Sequence, residues 1–380
     1  MCGSGGATED TDGSLPSSRD DCSFEHRPCE GAPTLVARRV FGVVSWGRAG
    51  GAPRLLWTSA VLAQRHGVEL HVGLSSECEL LDQVSAIAPT VTVAHMPRHR
   101  GAMAFASPQA KRQAASLVEG LMCRGVSRLV NLFPHPWDRP LREACRHNDI
   151  QFVQAIHDAR KHPGDIWPTD RGIRSRVDGA DEVIFFSQFV ADQFRDIGKP
   201  TSVLPLVDTP LTRPSRDLTI SVGPTPGPKR VVFVGRLLPY KGLDLLINAW
   251  ALRRTPSTLS IAGRGSMPRI RDSSILVSRR WLGHEEVESL VAGADVLVLP
   301  YIEASQSGLI PIARALGTPV VVTPVGGLPE QVIDGVSGVV AQRVTPAAVA
   351  EAIDLALATP WPATMPRLDE KSFVKGLVGS

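Results

Sequence analysis

Short apolar segments alternate with longer amphipathic segments over most of the chain. Runs of consecutive apolar residues predict strands, and apolar residues spaced three or four apart predict helices. In the first part of the chain the predicted strands are 40–46, 70–74, 91–95, 129–133, 152–156 and 183–186, and the predicted helices are 55–65, 109–122 and 188–197. Strands that alternate with helices are typical of βαβ units, which build parallel sheets.

The alternation stops once and then restarts. Residues 212–229 hold four prolines and two glycines, which predicts a linker between two domains. Beyond it the predicted strands are 230–234, 259–262, 275–277, 296–300 and 320–323, and the predicted helices are 243–251, 285–292, 310–316 and 346–358. The pattern therefore predicts an α/β protein with two Rossmann-like domains and a ligand cleft between them, at the carboxyl ends of the strands.

The first 34 residues show no apolar period. They carry seven acidic and two basic residues, so their net charge is −5 and the remaining residues carry +8 of the total of +3. They lack the basic start and apolar core of a signal peptide, and we predict that they are disordered. The predicted organisation is a disordered acidic tail (1–34), an N-terminal domain (35–212), a linker (213–228), a C-terminal domain (229–362) and a C-terminal segment (363–380), for which a return to the N-terminal domain is left open.

Composition narrows the class of protein. No apolar run approaches the ~20 residues of a membrane helix, and a net charge of +3 over 380 residues is too small for a dedicated nucleic-acid binder. The six cysteines form neither a CxxC pair nor a zinc-ligand spacing, which fits a reducing cytosol better than a disulfide scaffold. We expect a cytoplasmic protein that has no transmembrane segment and binds no nucleic acid.

Two segments of the C-terminal domain have the residue types that bind anions. Gly235, Arg236 and Lys241 follow a predicted strand, where an arginine fork and a mobile lysine suit phosphate oxygens, although a solvated basic loop is the alternative. A second segment precedes a predicted helix, where backbone N–H groups attract anions, although an ordinary serine N-cap explains it equally well. Its candidate residues are Ser305, Ser307, Gly308 and Leu309.

Three segments within residues 231–340 resemble the C-terminal half of family-4 (group 1) retaining glycosyltransferases, which have the GT-B fold. They read V-G-R-L-x-P-Y-K-G, W-L-G-H-x-E-V-x-x-L-x-x-x-A-D-V-L-V-L-P and G-T-P-V-V-x-T-x-V-G-G-L-P-E. The resemblance implies that this half binds a nucleotide-diphosphate sugar, a UDP- or GDP-sugar, with Arg236 and Lys241 on the diphosphate and Gly263 nearby. It also implies that no metal or other cofactor is needed, and the one Asp-x-Asp, Asp10-Thr-Asp12, lies in the acidic tail.

The chain departs from the family at one place. The family usually has two glutamates eight positions apart, and the matching positions here hold Ala304 and Ile312. Glu303 lies one position before the first and is the candidate replacement, whereas the second glutamate, which contacts the ribose in the family, is missing. The chain resembles a subset of the family that has Gln-Ser-Gly in this segment.

The N-terminal half resembles the family less sharply. The resemblance implies that Gly50 and Gly51 bring backbone N–H groups to the donor phosphates or the acceptor, which the absence of a side chain permits. It places His157 opposite the transferred sugar, and Asp158 could fix the tautomer of a histidine or bind acceptor hydroxyls, with His162 close by. A plain turn and a capped loop residue are the alternatives.

The sequence thus predicts a metal-independent, hexosyltransferase-like enzyme of bacterial origin, with His157, Asp158 and Glu303 as catalytic candidates. Its acceptor would be a sugar, a lipid-linked molecule or a small molecule, and contact with a membrane surface is compatible with the charge of +8. Two alternatives stay open, because fold alone does not decide function. One is a nucleotide-sugar epimerase of the same fold, and the other is a non-catalytic, glycosyltransferase-like partner protein.

Overall fold

Two parallel β-sheets, each covered by helices, make up the described part of the chain. The structure is a computed structural model, and it describes residues 40–95, 108–164, 168–212, 227–270, 272–362 and 364–379. Both sheets belong to one unit, Arg39–Ser380. The predicted acidic tail and nearly all of the predicted linker lie outside the described residues.

The first sheet has seven parallel strands in the order β3-β2-β1-β4-β5-β6-β7. The order runs outward in both directions from β1 and β4, as in a doubly wound sheet. The strands are β1 (Val40–Ser45), β2 (Glu69–Ser75), β3 (Thr90–Ala94), β4 (Arg128–Asn131), β5 (Gln151–Ile156), β6 (Glu182–Phe185) and β7 (Thr201–Val203). The first six confirm the predicted strands to within two residues at each end, and β7 was not predicted.

The second sheet has six parallel strands in the order β10-β9-β8-β11-β12-β13. They are β8 (Lys229–Val234), β9 (Ser257–Ala262), β10 (Ile275–Ser278), β11 (Val296–Leu299), β12 (Val320–Val322) and β13 (Gly338–Val340). All but β13 were predicted. The order again reverses between neighbouring central strands, β8 and β11, so each sheet has a switch point where a ligand can bind.

Eleven helices of the described residues connect the strands. They are α1 (Gly51–Arg65), α2 (Leu81–Ile87), α3 (Pro108–Met122), α4 (Asp138–His147), α5 (Asp170–Gly179), α6 (Gln188–Ala191), α7 (Leu243–Trp250), α8 (His284–Ala292), α9 (Leu309–Leu316), α10 (Pro346–Ala358) and α11 (Glu370–Val378). The helix predicted over 188–197 is shorter, because α6 ends at Ala191 and a 3-10 turn, Asp192–Phe194, follows it.

The last helix lies on the N-terminal domain. Phe373, Val374 and Leu377 of α11 are buried in the same apolar cluster as residues of α1 and β2. The Arg128 guanidinium donates from Nε to the carbonyl of Leu377 at 2.9 Å, and it also pairs with Glu182 at 2.7 Å. The C-terminal segment therefore crosses from the second domain to the first.

Buried ion pairs join the two domains near the segment that leads out of the first domain. Arg314 of α9 pairs with Asp208 and also donates to the carbonyl of Leu206 at 3.1 Å. Arg54 of α1 pairs with Glu288 of α8, which also accepts from the Thr212 hydroxyl at 2.9 Å. Because Leu206, Asp208 and Thr212 lie in the segment that leads out of the first domain, we call these the hinge contacts.

Candidate functional site

Loops at the carboxyl ends of both sheets meet between the two domains. The loops that follow β1 and β5 come from the first domain, and those that follow β8 and β11 come from the second. Direct hydrogen bonds connect the loop after β5 with the loop after β11, one between His157 and Gln306 and one between His162 and Glu303. This is the cleft that the sequence predicts.

His157 follows β5 and uses both ring nitrogens within the protein. Nε2 lies 2.8 Å from the carbonyl oxygen of Leu132, which only accepts, so Nε2 carries the hydrogen. Nδ1 lies 2.7 Å from the amide nitrogen of Gln306 and accepts from it. The ring stacks on Phe133 at 3.8 Å between centroids. Desolvation lowers the pKa of His157 to about 4, so the ring is neutral at pH 7.

Asp158 and Glu303 share a different histidine. His162 Nε2 lies 2.8 Å from Asp158, and Nδ1 lies 2.9 Å from Glu303 on the loop after β11. The imidazole of His162 stacks on Tyr240 with 4.7 Å between centroids and 13° between planes. Asp158 therefore orients His162, while the tautomer of His157 is set by Leu132.

The hydrogen bonds of His162 with Asp158 and Glu303 stabilise charged forms of these side chains. Burial alone lowers the pKa of His162, but its hydrogen bonds to Asp158 and Glu303 outweigh burial and raise it. Burial alone raises the pKa of Asp158, but the bond from His162 and a further one from Ser305 outweigh burial and lower it. Both directions favour the charged forms, a carboxylate at Asp158 and an imidazolium at His162.

Lys241 and Arg236 lie on the loop after β8. The Lys241 ammonium lies 3.7 Å from the ring centroid of Tyr301 and 4.7 Å from that of Tyr240. Arg236 donates from Nη2 to the Tyr240 hydroxyl at 3.0 Å. Desolvation lowers the pKa of Lys241, and the positive charge of Arg236 acts in the same direction. A bound anion would stabilise the charge of Lys241, since aromatic faces compensate only part of its lost hydration.

The loop before α9 contributes fewer free amides than its four candidate residues suggest. The N–H of Ser307 donates to the Gln331 side chain at 2.7 Å, and that side chain returns a bond to the Ser307 carbonyl at 3.2 Å. The N–H of Leu309 lies 3.4 Å from the Ser307 hydroxyl, and Ser305 is buried. Gly308 is exposed, and a Cβ there would meet no atom within 4 Å. Of these residues, Gly308 offers the backbone that a ligand can approach.

Two of the candidate glycines make close contacts within the protein itself. Gly50, whose φ of 79° favours glycine, donates its N–H to Glu79 at 2.6 Å rather than leaving it open to a phosphate. The expected amide donor is thus already paired, and Gly51 begins α1. Gly263 has φ of 152°, and a Cβ there would overlap the carbonyl oxygen of Gly235. Close contact between two backbone segments therefore explains Gly263 without a ligand.

Tyr240 and Gln306 were not predicted as site residues, and His162 was predicted only to lie close to His157 and Asp158. The spacing Asp158-x-x-x-His162 was visible in the sequence, but their pairing was not. Gln306 stands inside the Gln-Ser-Gly segment, and its contact with His157 spans 149 positions. A single sequence carries no signal for a contact of that length.

The comparisons with known proteins fit this geometry. Residues 228–359 match the family model of glycosyl transferases, group 1. The D-inositol 3-phosphate glycosyltransferase of Mycolicibacterium smegmatis is 33% identical over 187 residues, 44% of this chain and 43% of that protein. The glycogen synthase of Mycobacterium tuberculosis is 31% identical over 234 residues, 54% of each chain. The aligned part thus covers about half the length of these relatives.

Solved structures confirm the fold. HepE of Anabaena, crystallised with UDP and glucose, has a TM-score of 0.60 at 18% identity, covering 84% of this chain and 90% of that one. Sucrose-phosphate synthase of Thermosynechococcus elongatus has a TM-score of 0.59 at 16% identity, covering 90% and 92%. The chain has the GT-B fold, with two Rossmann-like domains facing a central cleft, as the sequence predicts.

Three further observations concern the described residues only. None of their helices is long and apolar enough to cross a membrane. They contain no group of three or more His, Cys, Asp or Glu side chains arranged to hold a metal ion. Cys78, Cys123 and Cys145 are free thiols.

Proposed function

We propose that this protein is a retaining glycosyltransferase that moves a sugar from a nucleotide-diphosphate sugar, a UDP- or GDP-sugar, to an acceptor hydroxyl. The observation that carries the proposal is the position of Lys241 and Arg236. Both follow β8 inside the segment that matches group 1 glycosyl transferases, and the charge of Lys241 interacts with Asp158 of the other domain. The two cations therefore lie where the two domains meet.

The reaction makes two opposite charges, and the cleft has groups for each. When the bond between the anomeric carbon and the diphosphate oxygen breaks, negative charge grows on the leaving group, where Lys241 and Arg236 stabilise it. Positive charge grows on the sugar ring, and the carboxylates of Asp158 and Glu303 both contact His162, which stacks on Tyr240. We propose that these two side chains stabilise it.

His157 has a positioning role in this proposal. Its Nε2–H donates to Leu132 and its Nδ1 accepts from Gln306, so neither nitrogen is available to exchange a proton. A neutral, fixed imidazole instead holds the Gln306 amide against the first domain. The proton of the acceptor hydroxyl then leaves with the departing diphosphate on the same face of the sugar, which is compatible with retention.

We further propose that transfer needs no divalent metal, because two protein cations supply the charge for the diphosphate. The acceptor, a sugar, a lipid-linked molecule or a small molecule, binds from the N-terminal domain in this scheme. The C-terminal domain, in which the family match lies, binds the donor. A cytoplasmic location and contact with a membrane surface belong to the same proposal.

A donor panel tests the proposal. The full chain is incubated with UDP- and GDP-sugars, with and without EDTA, and the release of nucleotide and the anomeric configuration of each product are measured by chromatography and NMR. We expect donor turnover that survives EDTA and products of retained configuration. If the folded protein turns over none of these donors, the proposal that it is a glycosyltransferase is wrong. A new sugar nucleotide formed without acceptor would identify an epimerase instead.

A further inference from the structure

The imidazole of His162 is one of two histidine rings that connect the two domains across the cleft, and His157 is the other. His162 belongs to the loop after β5, and its Nδ1 lies 2.9 Å from Glu303 on the loop after β11. Its Nε2 lies 2.8 Å from Asp158 of its own domain. The ring is 7% exposed, so water competes little for either bond.

The surroundings of the ring define its charge. Tyr240 covers one face at 4.7 Å. Asp158 and Glu303 are the two acidic groups in contact, and Arg160 Nε lies 3.8 Å from Glu303 while remaining 66% exposed. Lys241 acts on Asp158 from the loop after β8, and His157 acts on it from the end of β5. Two carboxylates thus flank the imidazole directly, and the cations lie beyond them.

Proton counting decides which form of the ring makes both bonds. A neutral imidazole has one N–H, whereas an imidazolium has two. A carboxylate only accepts, so a neutral His162 would satisfy either Asp158 or Glu303 and present a lone pair to the other. The protonated ring donates to both at once, and the raised pKa of His162 has the same cause.

We infer that the His162 imidazolium is a positioning residue that holds Glu303 of the second domain to Asp158 of the first, so that this contact, and with it full closure of the cleft, depends on one proton. The hinge contacts use Arg54 and Arg314, which keep their charge at any physiological pH, so they join the domains whether or not His162 is protonated. The bond between Gln306 and His157 also needs no proton on His162, and neither do the bonds that Glu330 accepts from the backbone of Gln188 and Phe189. Loss of the proton therefore widens the cleft at His162 while these other contacts stay in place. The consequence for sugar transfer rests on the proposed function, but the closure itself does not.

Small-angle scattering of the full chain tests the inference without any substrate. The radius of gyration is measured between pH 6 and pH 9 for the wild type and for three variants. His162→Gln removes the charge, and Asp158→Asn replaces one acceptor by an amide that can donate to a neutral ring. His147→Gln changes an exposed histidine of α4 and is the matched control.

We expect the wild type and His147→Gln to become more extended as pH rises above the raised pKa of His162. His162→Gln should be extended throughout, and Asp158→Asn should stay closed throughout. A radius of gyration that is independent of pH in the wild type, or equally dependent on pH in Asp158→Asn, overturns the inference. Asp158→Asn decides the question even if His162→Gln fails to fold. Because no donor is present, failure here is separate from failure of the donor panel.

Discussion

The side-chain amide of Gln306 lies 2.7 Å from Nδ1 of His157, and this bond joins the two domains at the floor of the cleft. It requires a neutral histidine, since Nδ1 must accept. The carbonyl oxygen of Gln306, Oε1, is buried and makes no hydrogen bond in the part of the chain that the structure describes. The orientation of the Gln306 amide is therefore fixed by His157 alone.

Replacing the amide of Gln306 by a carboxylate should break its hydrogen bond to His157. In Gln306→Glu a carboxylate oxygen would face the Nδ1 lone pair, and the loss of a buried hydrogen bond costs ~1–3 kcal/mol, roughly a tenfold to hundredfold loss in kcat/KM. A facing carboxylate also raises the pKa of His157, so lowering pH toward 5 should restore part of the activity. The pH profile of donor turnover measures both effects, and the exposed Gln193→Glu is the control. Equal profiles for Gln306→Glu and wild type would contradict the assigned bond.

Lys241 should matter far more than an exposed lysine. Lys241→Met keeps an unbranched, flexible side chain but removes the ammonium group that lies over Tyr301. Removal of one group that stabilises transition-state charge typically costs ~10²–10³ in kcat, so we expect a loss of that order together with weaker binding of the nucleotide diphosphate. Steady-state kinetics and calorimetry with UDP measure the two effects. Lys371→Met, on the exposed start of α11, should change neither. A Lys241→Met enzyme with wild-type kinetics would remove this residue from the site.

Glycines of the cleft should separate into two kinds when each is changed to alanine. Gly263→Ala forces a Cβ onto the Gly235 backbone at a φ of 152°, which we expect to cost ~2–3 kcal/mol or more and to lower the melting temperature. Gly308→Ala has open space and an ordinary φ of −67°, so its melting temperature should stay close to that of the wild type.

The new methyl group of Gly308→Ala would nevertheless occupy the approach to the start of α9. The affinity of the Gly308→Ala variant for UDP should therefore fall, although its stability should not. Thermal unfolding and calorimetry on the same preparations distinguish the two variants. Normal UDP affinity in Gly308→Ala would mean that the donor does not approach this loop.

The sequence predicts the strands of this protein well and the contacts between its side chains poorly. Parallel strands buried on both faces are continuous apolar runs, and for this reason β1–β6 and β8–β12 could be found. Helices α4 and α5 were missed because they are rich in arginine, with few apolar positions to form a period. β13 was missed because it has three residues, one of them a glycine.

In the candidate site, too, some residues could be predicted from the sequence whereas their partners could not. Residues at strand ends, such as His157 and Lys241, could be proposed, because the carboxyl ends of parallel strands meet at one edge. The partners that set their chemistry come from other loops, as Gln306 does for His157 and Glu303 for His162. Gly50 was expected to offer its amide to a ligand, but it pairs with Glu79, which is 29 positions away. Such pairings follow from tertiary packing and not from local pattern.

Three histidines with lowered pKa values should make the folded protein sensitive to acid. Burial lowers the pKa of His71 to about 4, that of His135 to about 3 and that of His157 to about 4. Each is neutral in the folded state while the unfolded chain takes up a proton below its ordinary pKa of ~6.5. Stability is therefore complete above that pH and falls as the pH is lowered from ~6.5 toward 4, by about 3 kcal/mol for a group such as His71. Urea unfolding between pH 7.5 and 4.5 measures the slope, which His71→Gln should reduce and the exposed His147→Gln should leave unchanged. A steeper or unchanged slope in His71→Gln would show that folding does not lower the pKa of His71.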